Sequence, residues 1–127
     1  DKPLSDWALN DITLERSDRG KMVELSIRVD DVEMSSFGCD GVIVSTPTGS
    51  TAYAFSAGGP IIWPNVEALQ LVPLAAHALF ARPLIIGAGS SFTMTIRRRM
   101  AGFAVMGVVS GHCPKARASR CVNRRAV

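Results

Sequence analysis

Alternation of apolar and polar residues dominates the chain. In Met22–Asp30, Val23, Leu25, Ile27 and Val29 fall on one side and Glu24, Ser26, Arg28 and Asp30 on the other. A period of two is that of a half-buried strand. Trp7–Glu15 reads as a second strand, with Ile12 and Leu14 apolar around Thr13. The turn residues Ser17-Asp18-Arg19-Gly20 between these two segments predict that they pair as a hairpin. Asp30-Asp31 marks another turn, leading into a short strand at Val32–Met34. Gly41-Val42-Ile43-Val44 is continuously apolar, as a strand covered on both faces must be. Ser91–Arg97 alternates again through Phe92, Met94 and Ile96, and Phe103–Val109 is a further apolar strand. Only one stretch breaks the pattern. Hydroxyl residues from Ser45 to Thr51 lead into Ala52–Ala57, and Gly58-Gly59-Pro60 follows, which predicts a capped helix of about two turns. The expected fold is mainly β, with two packed, mostly antiparallel sheets and one short helix beginning near Thr51.

Composition narrows the class. With 127 residues, 47% apolar and 20% charged, the chain holds at most one domain and is too apolar for disorder. It opens on Asp1-Lys2-Pro3, without a secretory or lipidation pattern, and reads as a piece of something longer. The net charge of +3 hides a break. Residues 1–96 hold 6 basic and 11 acidic side chains, net −5, whereas 97–127 hold 8 basic and none acidic, net +8. Arg, Ala, Val, Gly and Pro, the residues of GC-rich codons, make up 21 of those last 31 positions, as an out-of-frame translation would give. The expected division is therefore a domain over 1–96, itself incomplete, and an aberrant or disordered basic tail over 97–127. Three cysteines, Cys39, Cys113 and Cys121, do not make a disulfide framework and point to a reducing compartment, the cytoplasm. His112-Cys113 and Cys121 lack paired zinc-ligand spacing, so no metal site is expected. The apolar stretch 68–89 contains Gln70, Pro73, His77, Arg82 and Pro83, too costly a set for a membrane span, and the chain reads as soluble.

The run Gly41-Val-Ile-Val-Ser-Thr-Pro-Thr-Gly-Ser-Thr-Ala-Tyr53, continuing to Ser56-Ala-Gly-Gly-Pro60, closely resembles the signature of the bacterial-type NAD kinases. Three further elements lie in register with it. Ala8-Leu9-Asn10-Asp11 is similar to the family's Asn-Glu/Asp motif, and Phe37-Gly-Cys-Asp40-Gly41 to its Asp-Gly before the buried strand. His77-Ala-Leu and Arg82-Pro83-Leu84 resemble its His-x-Leu and Arg-Pro elements. The resemblance runs from about Trp7 to Ile96. It implies the C-terminal domain of a two-domain protein, an N-terminal α/β domain followed by a β-rich one, with the dinucleotide bound between them. The implied activity is transfer of the ATP γ-phosphoryl group to the 2′-hydroxyl of the adenosine ribose of NAD, with Mg²⁺ or another divalent cation accompanying ATP. A homo-oligomer, dimer or tetramer, is implied for the complete protein, and neither nucleic acid nor membrane is an expected partner. The family's Gly-Gly-Asp-Gly-Thr motif, which carries the catalytic aspartate, has no counterpart in this sequence. No catalytic residue is therefore assigned within it.

The implied dinucleotide contacts are Asn10, Asp11, Asp40, Thr51, Ala52, Tyr53 and Ser56. Asn10 both donates and accepts, which suits an adenosine edge or a ribose hydroxyl. Asp11 accepts from the two hydroxyls of a ribose diol. Thr51, Ala52 and Tyr53 offer amides, a hydroxyl, a small side chain for close approach and a flat ring against a base. Ser56 follows one helical turn on. Asp40, in relatives, reaches toward the nicotinamide bound by a neighbouring subunit. His77, between two alanines, is expected to be a packed structural residue.

Two other readings fare worse. A serine hydrolase built on Ser56 lacks the first glycine of Gly-x-Ser-x-Gly and has no acid after Glu67 to complete a triad. A nucleic-acid binder built on the basic tail has no interleaved aromatics beyond Phe103 for stacking. The serious alternative is a non-catalytic remnant of such a kinase that still binds dinucleotide or assembles.

Overall fold

The computed structural model describes residues 4–16, 20–76, 82–97, 103–112 and 115–124, with side chains described over 7–16, 20–76 and 82–96. His77, the Ser17–Arg19 part of the predicted turn and Cys113 lie outside the described residues, as do the side chains of His112 and Cys121.

Among the described residues, ten strands run in chain order: β1 (Leu4–Ala8), β2 (Asp11–Glu15), β3 (Val23–Val29), β4 (Val32–Cys39), β5 (Gly41–Ser45), β6 (Ala68–Leu74), β7 (Leu84–Gly87), β8 (Ser91–Arg97), β9 (Phe103–His112) and β10 (Lys115–Arg124). They form a six-stranded sheet in the order β1-β10-β9-β8-β3-β4 and a four-stranded sheet in the order β2-β5-β6-β7. Every pairing is antiparallel. Between β5 and β6 lie a 3-10 turn at Thr48–Thr51 and the single helical turn α1 (Tyr53–Ser56). This is the mainly β, two-sheet architecture that the alternation predicts.

The core lies between the sheets. Leu25, Ile27, Phe92 and Met94 from the larger sheet meet Val42, Val44, Leu69, Leu71 and Ile86 from the smaller, all buried in one cluster. The alternating faces of β3 and β8 thus turn inward as their period requires. β5 is buried along its whole length because both of its faces are covered. Val42 and Val44 look into the main core, while Ile43 joins Ala54 and Val72 in a second cluster outside it. That second cluster seats α1 on the outer face of the smaller sheet.

Cys39 ends β4 fully buried in the main core, its thiol 3.7 Å from the Val23 carbonyl. Burial first, and the charge of Asp40 after it, push this thiol up to about 11, against a hydrogen bond with Gly41 that lowers it. The folded state therefore holds the proton more tightly than the unfolded chain, whose thiol has the ordinary value of 9.0. The resulting stabilisation is complete below pH 9.0 and is lost as the pH rises towards about 11. Denaturation melts of Cys39→Ala against wild type should converge by on the order of 2 kcal/mol across that window. A constant gap between pH 7 and 11 would show that the thiol titrates normally.

Three local expectations are corrected. β2 and β3 do not form a hairpin; β2 pairs with β5, and β3 pairs with β4 and β8 in the other sheet. The predicted Trp7–Glu15 strand is two strands, broken at Leu9-Asn10, where the chain passes from the larger sheet to the smaller. Thr46 holds that break, its hydroxyl 2.6 Å from the Leu9 carbonyl and its amide donating to the Asn10 carbonyl at 2.9 Å. The predicted two-turn helix is only a single turn, Tyr53–Ser56, set off from the 3-10 turn before it because Ala52 (φ −96°, ψ −125°) leaves the helical region. In the stretch set apart as a basic tail, β9 carries the predicted apolar strand, and β10 pairs with it on one side and with β1 on the other.

Candidate functional site

Asn10 and Asp11 stand where β1 gives way to β2. Asn10 is exposed and Asp11 half-buried. What fixes them is the turn after β5. Besides its contacts to Leu9 and Asn10, the Thr46 hydroxyl accepts from the Gly49 amide at 3.2 Å, closing Thr46–Gly49 into a tight turn. Gly49 is buried against the Asn10 backbone; a methyl group there would collide with the Asn10 carbonyl and come within 2.8 Å of its Cα. No side chain fits. The signature run and the Asn-Asp pair, 36 residues apart between Asn10 and Thr46, are thereby pressed together.

Beyond Gly49 the turn presents Thr51, Ala52 and Tyr53, all exposed, and α1 ends on exposed Ser56. Ile12 and Leu14 of β2 pack against the core cluster, so Asp11, Thr13 and Glu15 lie on the strand's outer face. Tyr53 lies over that face. Its hydroxyl donates to Glu15 Oε1 at 3.2 Å. The phenol titrates above the ordinary 10.0, through desolvation first, then the hydrogen bond and charge of Glu15 and the charge of Asp11. Tyr53 therefore stays a neutral donor throughout the physiological range. These contacts bring Asn10, Asp11, Thr51 and Ala52 to one end of the smaller sheet's outer side, while the Tyr53 hydroxyl reaches along β2 to Glu15, the residue paired with Gly41 near the other end.

Asp40 is not among them. It precedes β5, whereas Thr46 follows that strand, a separation of about 20 Å along the strand direction. Asp40 instead pairs with Arg16, Nη1 to Oδ1 3.4 Å, and its carbonyl accepts from the Arg16 amide at 2.8 Å. Glu15 and Arg16, absent from the predicted set, thus tie Tyr53 and Asp40 to the end of β2. Nothing local in the sequence marks them, since the Tyr53–Glu15 contact spans 38 residues. Thr46 did leave a signal: a threonine three residues before a glycine is a hydroxyl-closed turn. Arg82, of the Arg-Pro element, is exposed ahead of β7. Among the described residues, no three His, Cys, Asp or Glu side chains converge as metal ligands. They do not form a set that fits a divalent cation.

The family model described as the ATP-NAD kinase C-terminal domain matches residues 9–121. The chain belongs to this family. An NAD kinase of Bifidobacterium longum subsp. infantis is 86% identical over 95 residues, 75% of this chain and 28% of that protein. The chain thus spans just over a quarter of that relative's length. Among solved structures, a yeast NADH kinase complexed with NADH superposes with a TM-score of 0.70 at 29% identity, over 94% of this chain and 36% of that one. An NAD kinase from Archaeoglobus fulgidus in complex with ATP gives 0.69 at 28% identity, over 96% and 51%. This NAD-kinase domain contains no described helix long and apolar enough to cross a membrane.

Proposed function

We propose that the chain is the NAD-binding C-terminal part of an NAD kinase, which transfers the γ-phosphoryl group of ATP to the 2′-hydroxyl of the adenosine ribose of NAD. The observation that carries this reading is the packing of Gly49 on the Asn10 backbone. It sets the Asn-Asp pair beside the turn bearing Thr51, Ala52 and Tyr53. Asp11 accepts from the ribose diol, Asn10 fixes the adenosine edge, and the Tyr53 ring lies against a base while Glu15 holds its hydroxyl. Ser56 adds a hydroxyl one turn on. Asp40, half neutralised by Arg16, is kept for the nicotinamide end of a dinucleotide on a neighbouring subunit. All of these residues fall within 1–96, proposed as the dinucleotide-binding unit, while the acid-free stretch 97–127 supplies β9 and β10 of the larger sheet. The complete protein is a cytoplasmic homo-oligomer that uses ATP with a divalent cation.

The test is kinetic. In a full-length kinase carrying this segment, Asn10→Ala or Asp11→Ala should raise the KM for NAD or cut kcat/KM by about 10- to 100-fold, the loss of one or two hydrogen bonds, charge-assisted in the case of Asp11. Wild-type kinetics in both variants would count against the assignment.

A further inference from the structure

Ser50 takes no part in the contacts proposed above, yet its side chain is fully buried between the two segments that frame them. Its hydroxyl sits 2.6 Å from the Pro47 carbonyl, with the Ile62 carbonyl at 3.3 Å as the alternative acceptor. The same oxygen accepts from the Ile62 amide at 2.9 Å. One hydroxyl therefore joins the 3-10 turn to the loop after α1, across 12 residues. Other contacts close that loop from below. The Gly59 amide donates to the Ala54 carbonyl at 2.9 Å, and Gly59 lies so close to Val72 and Gln70 that a Cβ would come within 2.8 Å and 3.0 Å of them. The Gln70 side-chain amide, itself buried, donates to the Pro60 carbonyl at 3.3 Å.

We propose that Ser50 is a positioning residue of the nucleotide site, holding Thr51–Tyr53 between the Asn10 backbone on one side and the Gly59–Trp63 loop on the other; this rests on the kinase function proposed above. The logic is geometric. Gly49 is fixed against Asn10 and Ser50 against Ile62, and Thr51 is the next residue along. Beyond it Ala52 leaves the helical region, so the turn and α1 are separate pieces. The Ser50 hydroxyl is the polar link from this turn to the loop, and without it the buried Ile62 amide loses its acceptor. The turn would then sample positions out of register with Asp11. Ser50 touches no substrate; it acts through the residues it holds.

The test uses a full-length kinase carrying this segment. Ser50→Ala should raise the KM for NAD about tenfold, with kcat within about threefold and the KM for ATP unchanged, as expected when binding geometry alone is loosened. Hydrogen exchange of the same variant should speed up at residues 51–57 and 59–63 while β3 and β8 keep their protection. An unchanged KM for NAD would overturn the proposal. So would faster exchange spread evenly over both sheets with kcat and KM failing together, the pattern of a merely structural serine. Should Ser50→Ala not fold, Ser50→Cys keeps a slightly larger side chain with weaker hydrogen bonds in the same place and should show a raised KM; a wild-type KM there overturns the proposal equally. A wild-type protein that makes no NADP would instead sink the kinase reading itself.

Discussion

Gly49→Ala in a full-length kinase carrying this segment should lower the melting temperature by on the order of 10 °C and abolish measurable NAD binding. The added methyl meets backbone atoms of Asn10 and not a movable side chain. Overpacking of a core usually costs about 1–3 kcal/mol because side chains find other rotamers. Here the obstacle is a carbonyl fixed by the Thr46 amide at 2.9 Å, so the cost lies at the upper end. For a domain of this size each kcal/mol is worth several degrees. The displacement falls on the seam between the two halves of the site, so binding suffers beyond what the melt records. Gly87→Ala is the control: nothing lies within 4 Å of a Cβ there, and its melt should match wild type within a degree or two. A Gly49→Ala protein with normal melting and a normal KM for NAD would mean that the turn does not rest on Asn10.

Residues 1–127 alone, incubated with ATP, Mg²⁺ and NAD, should form no NADP above background. Phosphoryl transfer depends on alignment of donor and acceptor, on neutralisation of developing charge and on a group that orients the attacking hydroxyl. The acids of the proposed site are poorly placed for the last task. Asp11 lies on the side proposed to bind the ribose, and Asp40 is held by Arg16 at the other end of β5. Residues 97–127 offer no carboxylate at all. The resemblance to NAD kinases assigns the catalytic aspartate to a Gly-Gly-Asp-Gly-Thr motif outside this sequence, and joining such a segment upstream should restore turnover. Activity of the 127-residue chain by itself would make Asp11 or Asp40 the base.

The strands were legible where burial is one-sided or complete. β3 and β8 alternate because one face of each meets the core, and β5 reads as a solid apolar run because α1 covers Ile43 from outside. Partner choice was not legible. A turn-rich segment between β2 and β3 looks like a hairpin, but β2 has a better use as the strand that carries Asn10-Asp11 to β5. β10 escaped notice because Lys115–Arg124 sets small residues among basic ones, a pattern shared with solvated coil. The candidate site was legible as two motifs through their resemblance to those of NAD kinases. Asn10, Asp11 and Thr51–Tyr53 stood out because they match the family's Asn-Glu/Asp motif and its signature run. Glu15 and Arg16 did not, since their contacts to Tyr53 and Asp40 exist only once the smaller sheet has formed. The helix starts only at Tyr53, past Ala52, for a related reason: the turn before it is shaped by Asn10 and Ile62, which local propensity does not see.

The bond between Thr46 and the Leu9 carbonyl, 37 residues back, also sets a schedule for synthesis. At roughly 5–20 residues per second, a ribosome needs about 2–8 s to travel from Asn10 to the end of that turn. Over that interval β2 has no partner, and β5 once made stays a two-sided apolar strand until α1 and β6 follow to cover it. The end of the smaller sheet that bears Asn10 and Asp11 can therefore close early in translation, whereas the larger sheet stays open until β10 arrives to pair with β1, as Leu4 does with Arg120.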